Sequence, residues 1–138
     1  MKIVIIEDDE ILSKVLQEEL AEAGYEVKQA FDGKKGIELA ESEQPDLVLL
    51  DILLPQKDGF AVLDVMKKSP TTSAIPVIII SNLGSDEELK KGLAMGASDY
   101  IVKSQHTTAQ VAELVKNFLA KKIDKDGAPM KPEANGRR

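Results

Sequence analysis

The chain has 138 residues, a formal net charge of −6 and no cysteine, so it fits one domain without disulfides or thiolate metal sites. The negative charge disfavours nonspecific binding to nucleic acid, and no apolar run approaches the length of about 18 residues needed to span a membrane. Only four apolar residues precede the first acids, too few for a signal-peptide core, and we expect a cytoplasmic protein. The single His106 cannot supply a histidine cluster, so oxygen atoms would hold any metal.

Five short apolar runs alternate with stretches of helical spacing, which is typical of a β-α protein. The first run covers residues 3–6. The helix predicted after it has an apolar stripe of Ile11, Leu12, Val15, Leu16, Leu20 and Ala23. Gly24 should end that helix in a left-handed conformation, before a second strand at 25–29.

Asp32 should cap the second helix, which is expected to end before Pro45. The third strand is predicted at 46–50. Pro55 and the pair Asp58-Gly59 are predicted to occupy the loop after it. The third helix is then marked by Val62, Leu63 and Met66.

Pro76 is predicted to open the fourth strand, and Ser85 to begin a capping box for the fourth helix. That helix has few apolar anchors, chiefly Leu89 and Leu93, and it contains Gly92, which costs about 1 kcal/mol relative to alanine. We therefore expect it to be the least firmly held helix.

A fifth strand is predicted at 99–102 and a last helix over 111–119. The resulting order βαβαβαβαβα requires right-handed crossovers and a mostly parallel sheet with helices on both faces, so the fold class is doubly wound α/β. Residues 124–138 lack apolar periodicity and contain two glycines and two prolines, which predicts a disordered tail after a domain at 1–123.

Polar groups follow four of the apolar runs: Glu7-Asp8-Asp9, Asp51, Ser81 and Lys103. If the runs are parallel strands, these groups converge at one edge of the sheet. Such a set suits phosphoryl transfer, with Asp51 as the nucleophile. Two carboxylates about 4 Å apart repel by about 4 kcal/mol at an effective dielectric constant of 20, and a magnesium ion would relieve that repulsion.

Glu7 and Asp8 would be the acids of the cation site, while Lys103 and Ser81 would contact phosphoryl oxygens. Each group also has a structural interpretation. The acids could favour a helix N-terminus, Ser81 could cap its loop and Lys103 could be solvated. The joint placement supports the functional interpretation. Tyr100 is most simply an aromatic strand residue and His106 an exposed loop residue.

Residues 1 to about 122 resemble the receiver domain of bacterial two-component response regulators, in the chemotaxis-regulator-like, stand-alone form. The matching segments are residues 3–9, 46–51, Pro55 with Asp58-Gly59, Ile80-Ser81, and 96–103. The resemblance implies a flavodoxin-like five-stranded parallel sheet of strand order 2-1-3-4-5. That order is the one known for the chemotaxis member of the family, and the spacing of the apolar runs alone does not specify it.

The resemblance also implies that Asp51 takes a phosphoryl group from a sensor histidine kinase or a histidine phosphotransfer protein. Magnesium would be bound by Asp8, Asp51 and the Leu53 carbonyl, with Glu7 acting mainly through water. Ser81 and Lys103 would reorganise around the aspartyl phosphate. Tyr100 would then change rotamer and reshape the surface of helix 4, strand 5 and helix 5 for a downstream protein target or a phosphorylation-dependent homodimer.

Two positions depart from the pattern of that family. Ser104 stands where a proline joined by a cis peptide usually follows the lysine, and Asn82 stands where a small residue is usual. Leu53 and Leu83 could flank the pocket and hinder an attacking water, which predicts slow self-dephosphorylation.

Two other functions remain open. One is a magnesium-dependent phosphohydrolase or phosphomutase with an aspartyl nucleophile, although such enzymes need a second acid two residues later, where this chain has Leu53. The other is an interaction module that keeps the fold and is regulated without phosphorylation. The complete set of acids, hydroxyl and lysine favours a phosphoacceptor that is not itself an enzyme, apart from slow magnesium-dependent self-phosphorylation and self-dephosphorylation.

Overall fold

The computed structural model describes residues 1–54 and 58–121. The predicted tail at 124–138 and the predicted loop residue Pro55 lie outside this part of the chain. Strands and helices alternate in the order β1 (Lys2–Ile6), α1 (Glu10–Glu22), β2 (Glu26–Ala30), α2 (Gly33–Glu43), β3 (Leu47–Asp51), α3 (Gly59–Lys68), β4 (Val77–Ser81), α4 (Asp86–Ala94), β5 (Asp99–Val102) and α5 (Thr108–Lys121).

The five strands form one parallel sheet in the order β2-β1-β3-β4-β5, which confirms the predicted fold class and strand order. Every residue of β3 and β4 is buried, as expected for central strands covered on both faces. Alternate residues of each strand point to opposite faces and build two cores. One core joins the sheet to α1 and α5, and the other joins it to α2, α3 and α4.

The helix starts follow the local sequence closely. Asp9, Asp32, Asp58 and Ser85 each accept a hydrogen bond from a backbone N–H of the helix that follows, which satisfies donors that the first turn leaves free. Gly24 has φ +101°, the left-handed conformation predicted for it. Three strands begin one residue later than predicted: β2 at Glu26, β3 at Leu47 and β4 at Val77.

The predicted stripe of α1 is wrong at both ends. Ile11 is 79% exposed, and Ala23 is the exposed C-terminal cap. Ser13 takes a buried place in the row with Leu16 and Leu20, because its hydroxyl accepts a hydrogen bond of 2.9 Å from the Gln29 side-chain amide. A satisfied hydroxyl can thus replace an apolar side chain in the buried row.

The predicted anchoring of α4 is also wrong in part. Leu93 is 45% exposed, and Leu89 is only partly buried. The one buried residue of α4 is Gly92. A β-carbon there would lie 2.6 Å from Ile79 Cδ1 and 3.1 Å from Tyr100 Cδ2, so α4 approaches the sheet through its glycine rather than through a large side chain.

Among the residues that the structure describes, no helix is long and apolar enough to cross a membrane.

Candidate functional site

The predicted site residues meet at the carboxyl edge of the sheet. Glu7 follows β1, Asp51 ends β3, Ser81 ends β4 and Lys103 follows β5. The parallel register brings these ends together, with Asp51 beside Ile80 of the neighbouring strand. We call Glu7, Asp8, Asp51 and Lys103 the acidic pocket.

Lys103 joins the two buried acids of the acidic pocket. Its Nζ lies 2.7 Å from Oε1 of Glu7 and 3.0 Å from Oδ2 of Asp51. Glu7 is fully buried and Asp51 is 3% exposed. Their other oxygens accept backbone hydrogen bonds, from Asp9 N–H to Glu7 at 3.0 Å and from Leu53 N–H to Asp51 at 3.1 Å. Both carboxylates are therefore held from two sides.

Burial and the ion pairs with Lys103 have opposite effects on the pKa values of this cluster. Burial raises the pKa of Glu7 to about 7; the neighbouring Asp51 adds to that rise and Lys103 works against it. Burial alone would lower the pKa of Lys103, but the two ion pairs outweigh it and raise that pKa above its ordinary value. The lysine thus stays charged, while Glu7 is partly protonated near neutral pH.

The acidic pocket has the donor set of a hard divalent cation. One carboxylate oxygen each from Glu7, Asp8 and Asp51 lie within 4.8 Å of one another. Asp8 is exposed, and so opens the cluster to solvent. Magnesium prefers oxygen ligands and keeps several waters, which fits three acids with one exposed member. The Leu53 carbonyl stays a predicted fourth ligand, since the contact observed for Leu53 is that of its amide.

The predicted switch residues are linked through one residue of the β4-α4 loop. The buried Ser81 hydroxyl accepts a hydrogen bond of 3.1 Å from Leu83 N–H, and the Tyr100 hydroxyl donates to the Leu83 carbonyl. Tyr100 is 8% exposed, and burial raises its pKa. Ser81 therefore caps its loop, as expected if its role were only structural, and it also lies beside the acidic pocket.

The two departures from the family pattern have definite local structures. Residues Lys103–Gln105 form a single 3-10 turn, and no cis peptide occurs among residues 1–54 and 58–121, so the bond before Ser104 is trans. Asn82 is exposed. Leu53 is 54% exposed, whereas Leu83 is half-buried against the core that includes α3 and α4.

His106 was predicted to be exposed and is half-buried. It lines a small, mostly apolar cavity of about 40 Å³ with Leu12, Leu16, Ile80, Lys103, Thr108 and Val111. The turn after β5 directs it toward α1, which the isolated loop sequence does not reveal.

One residue packed against the site, Gly59, matches the family pattern but was given no role by the sequence interpretation. Gly59 was assigned to a loop, but it is the first residue of α3 and it packs on the backbone of Asp51 and Ile52. Its position directly after the capping Asp58 was the available signal, because that places it in the first turn of a helix.

Known proteins resemble this chain in sequence. The sequence model of the response regulator receiver domain family matches residues 3–117 of this chain. The DNA-binding dual master transcriptional regulator RpaA of Synechocystis sp. is 42% identical over 102 residues, which is 74% of this chain and 42% of that protein. Response regulator PleD of Caulobacter vibrioides is 37% identical over 102 residues, which is 74% of this chain and 22% of that protein. The chain thus matches less than half the length of these curated relatives.

Solved structures show the same architecture. The receiver domain of the Francisella response regulator 1452 has a TM-score of 0.79 and 29% identity, covering 89% of this chain and 98% of that one. The phosphorylated cyanobacterial phytochrome response regulator RcpA has a TM-score of 0.72 and 32% identity, covering 85% of this chain and 89% of that one.

A parallel sheet with acids, a hydroxyl and a lysine at its carboxyl edge defines a receiver-type signalling domain. The chain belongs to the response regulator receiver domain family of two-component systems, whose members accept phosphoryl groups and bind magnesium in an acidic pocket.

Proposed function

We propose that Asp51 is the phosphoacceptor of this receiver domain and that its phosphorylation switches the binding of a protein partner. The observation that carries the proposal is the arrangement around Asp51, whose two oxygens are held by Leu53 N–H and by the Lys103 ammonium at 3.1 and 3.0 Å. These two contacts fix the orientation in which the buried carboxylate meets the phosphorus atom that it attacks.

The transfer has a simple balance. A carboxylate oxygen of Asp51 forms a bond to phosphorus while the bond from phosphorus to the donor atom breaks, and that electron pair leaves with the donor. The donor is the imidazole of a phosphohistidine on a sensor kinase or phosphotransfer protein. Lys103 compensates negative charge as it develops on the phosphoryl oxygens, and the Ser81 hydroxyl donates a hydrogen bond to one of them after leaving Leu83 N–H.

Glu7, Asp8 and Asp51 would hold the magnesium ion, together with the Leu53 carbonyl. When bound, that ion supplies positive charge that offsets the repulsion between the acids and the incoming phosphoryl group. The exposure of Asp8 leaves a path from solvent to the cluster. We propose a phosphoacceptor with slow self-phosphorylation and self-dephosphorylation, in the cytoplasm where kinases find ATP, and not an enzyme acting on a separate substrate.

The proposed output surface comprises α4, β5 and α5. Tyr100 of β5 connects it to the site, because its ring packs on Gly92 of α4 and its hydroxyl reaches the loop that Ser81 holds. A rotamer change of Tyr100 would alter how α4 packs on the sheet, because Gly92 is the one buried residue of that helix. The partner is a protein, or a second copy of this domain.

The test is phosphorylation by acetyl phosphate with magnesium, followed by intact-mass measurement. We expect one phosphoryl adduct on the wild type and none on Asp51→Ala. Asp46→Ala is a matched control, because Asp46 precedes the same strand at its other end and accepts from Lys2 N–H. No adduct on the wild type, or an equal adduct on Asp51→Ala, would refute the proposal.

A further inference from the structure

The helix α3 contacts the backbone of Asp51 and Ile52 through Gly59, a residue without a side chain. Gly59 is buried and begins α3. A β-carbon on it would lie 2.4 Å from the carbonyl oxygen of Asp51, 2.5 Å from Ile52 Cα and 3.0 Å from the carbonyl carbon of Asp51. All three are backbone atoms, so no side-chain rotation could relieve the contact.

Space, and not backbone conformation, requires this glycine. The positive-φ glycines among the described residues are Gly24 and Gly96, so Gly59 has dihedral angles open to other residues. Glycine is also a poor helix former, by about 1 kcal/mol relative to alanine. The first turn of α3 therefore carries a residue that is unfavourable for the helix and permits close approach to Asp51.

Hydrogen bonds fasten the same segment. Gly59 N–H donates to the Ile52 carbonyl at 2.8 Å, and Leu54 N–H donates to that carbonyl at 3.1 Å. Leu53 N–H, between these groups, donates to Oδ1 of Asp51. The Ile52–Leu53 peptide is thus fixed from the α3 side through its carbonyl, and the Leu53 amide that orients the carboxylate is the other half of that peptide.

We infer that Gly59 is a positioning residue for phosphoryl transfer: by letting α3 sit directly on the Asp51 carbonyl and Ile52 Cα, it sets where the reactive carboxylate lies between Leu53 N–H and Lys103. This inference rests on the proposed function, since it concerns the residue that accepts the phosphoryl group. A β-carbon at position 59 would force the backbone after Asp51 to shift. Displacement of a reacting group by about 1 Å can cost about 100-fold in rate.

The chain offers a matched control for the steric contact. Gly36 in α2 is also buried and has no positive φ, and a β-carbon there would lie 2.4 Å from Ile6 Cδ1. The other close atoms, Cγ1 at 2.7 Å and Cγ2 at 2.9 Å, belong to the same Ile6 side chain, so this contact does not fall on the backbone of the site. Both alanine substitutions therefore create a close contact in a helix, but only Gly59→Ala presses on the backbone of Asp51.

A second pair of variants tests the same contact without adding atoms. Asp58 caps α3, with Oδ1 2.6 Å from Phe60 N–H, and Asp32 caps α2, with Oδ1 2.8 Å from Lys35 N–H. Replacing either by alanine removes a cap worth about 1 kcal/mol. Asp58→Ala frays the turn that holds Gly59, whereas Asp32→Ala frays a helix that follows β2, a strand without a site residue.

The experiment measures the rate constant of phosphorylation by acetyl phosphate, by intact mass, over a series of magnesium concentrations. Each variant is first shown to be folded at the assay temperature by thermal denaturation. Gly59→Ala should lower the rate at saturating magnesium about 10- to 100-fold and raise the magnesium concentration for half-maximal rate. Asp58→Ala should lower the rate several-fold. Gly36→Ala and Asp32→Ala should keep the phosphorylation rate within about twofold of the wild type. A loss of stability that leaves the protein folded at the assay temperature does not by itself slow the reaction.

The outcomes separate this inference from the proposed function. A wild type without an adduct would refute the phosphoacceptor proposal itself. A labelled wild type with unchanged rates for Gly59→Ala would refute only the role of Gly59. If Gly59→Ala does not fold, the Asp58→Ala and Asp32→Ala pair decides: equal rates for these two would overturn the inference.

Discussion

The Nζ of Lys103 lies 3.0 Å from Oδ2 of Asp51, although β4 separates the two strands from which these residues come. The same ammonium contacts Glu7, so one cation from the loop after β5 pairs with two buried acids. In the absence of a metal, this lysine is the main counter-charge of the acidic pocket.

Lys103→Met should destabilise the metal-free protein at pH 8 by up to about 3 kcal/mol, because it leaves two buried carboxylates without a counter-charge. Saturating magnesium should restore more stability to this variant than it adds to the wild type. Urea denaturation with EDTA or with magnesium measures both effects. Lys116→Met is the control, since it removes only an exposed pair with Glu113 at 3.1 Å and should cost less than about 1 kcal/mol. Equal losses in the two variants would contradict the prediction.

The raised pKa of Glu7 predicts that metal-free stability falls as pH rises. The folded protein has a Glu7 pKa of about 7, against 4.5 for the free side chain, so between these values it binds more protons than the unfolded chain. The contribution is complete below pH 4.5 and is lost as pH rises through 7, by at most about 3 kcal/mol. Urea denaturation in EDTA from pH 5 to 8 should show this slope in the wild type and not in Glu7→Gln. Glu10→Gln, at an exposed position of α1, should keep it.

Leu53→Asn should shorten the lifetime of the phosphoprotein several-fold. Leu53 is 54% exposed directly beside the phosphoacceptor, and an amide there can hold a water that an apolar side chain excludes. The measurement is loss of the phosphoryl adduct by intact mass after removal of the donor. Ile11→Asn changes another exposed apolar residue and serves as the control. Rapid loss from the wild type that Leu53→Asn leaves unchanged would count against slow self-dephosphorylation.

Gly92→Ala should lower the melting temperature although alanine is the better helix former by about 1 kcal/mol. The added carbon would lie 2.6 Å from Ile79 Cδ1 and 3.1 Å from the Tyr100 ring. In an Ile79→Val background the first of these contacts disappears, and the alanine should be better tolerated. A double-mutant cycle of thermal denaturation measures this coupling. Equal stabilisation by alanine in both backgrounds would show that α4 does not sit close to the sheet.

The sequence predicted what depends on periodicity and capping. The alternation of apolar runs indicated the five strands, and the polar residues at their ends indicated Glu7, Asp51, Ser81 and Lys103 as one group. These predictions succeed because a parallel sheet brings all strand ends of one kind to one edge. The strand order itself came from the family resemblance.

The sequence did not predict contacts that depend on how closely two elements approach each other. Leu93 has the spacing of an anchor, yet the small size of Gly92 decides which face of α4 reaches the sheet. Gly59 matched the family pattern and was assigned to a turn, but its contact with the Asp51 backbone was not predicted, because that contact exists only after α3 packs on β3. Close approaches of backbone to backbone leave no apolar pattern to detect.

The acidic pocket draws its groups from the ends of β1, β3 and β5, which are the first, third and fifth strands along the chain. Contacts between such distant segments form only after long loops close, so the pocket is among the last features that folding can complete. A chain stopped before β5 lacks the lysine that lets two buried acids coexist. A copy in which Lys103 reaches Glu7 and Asp51 has therefore already brought β1, β3 and β5 together, and a chain without β5 lacks the pocket that the proposed phosphoryl transfer needs.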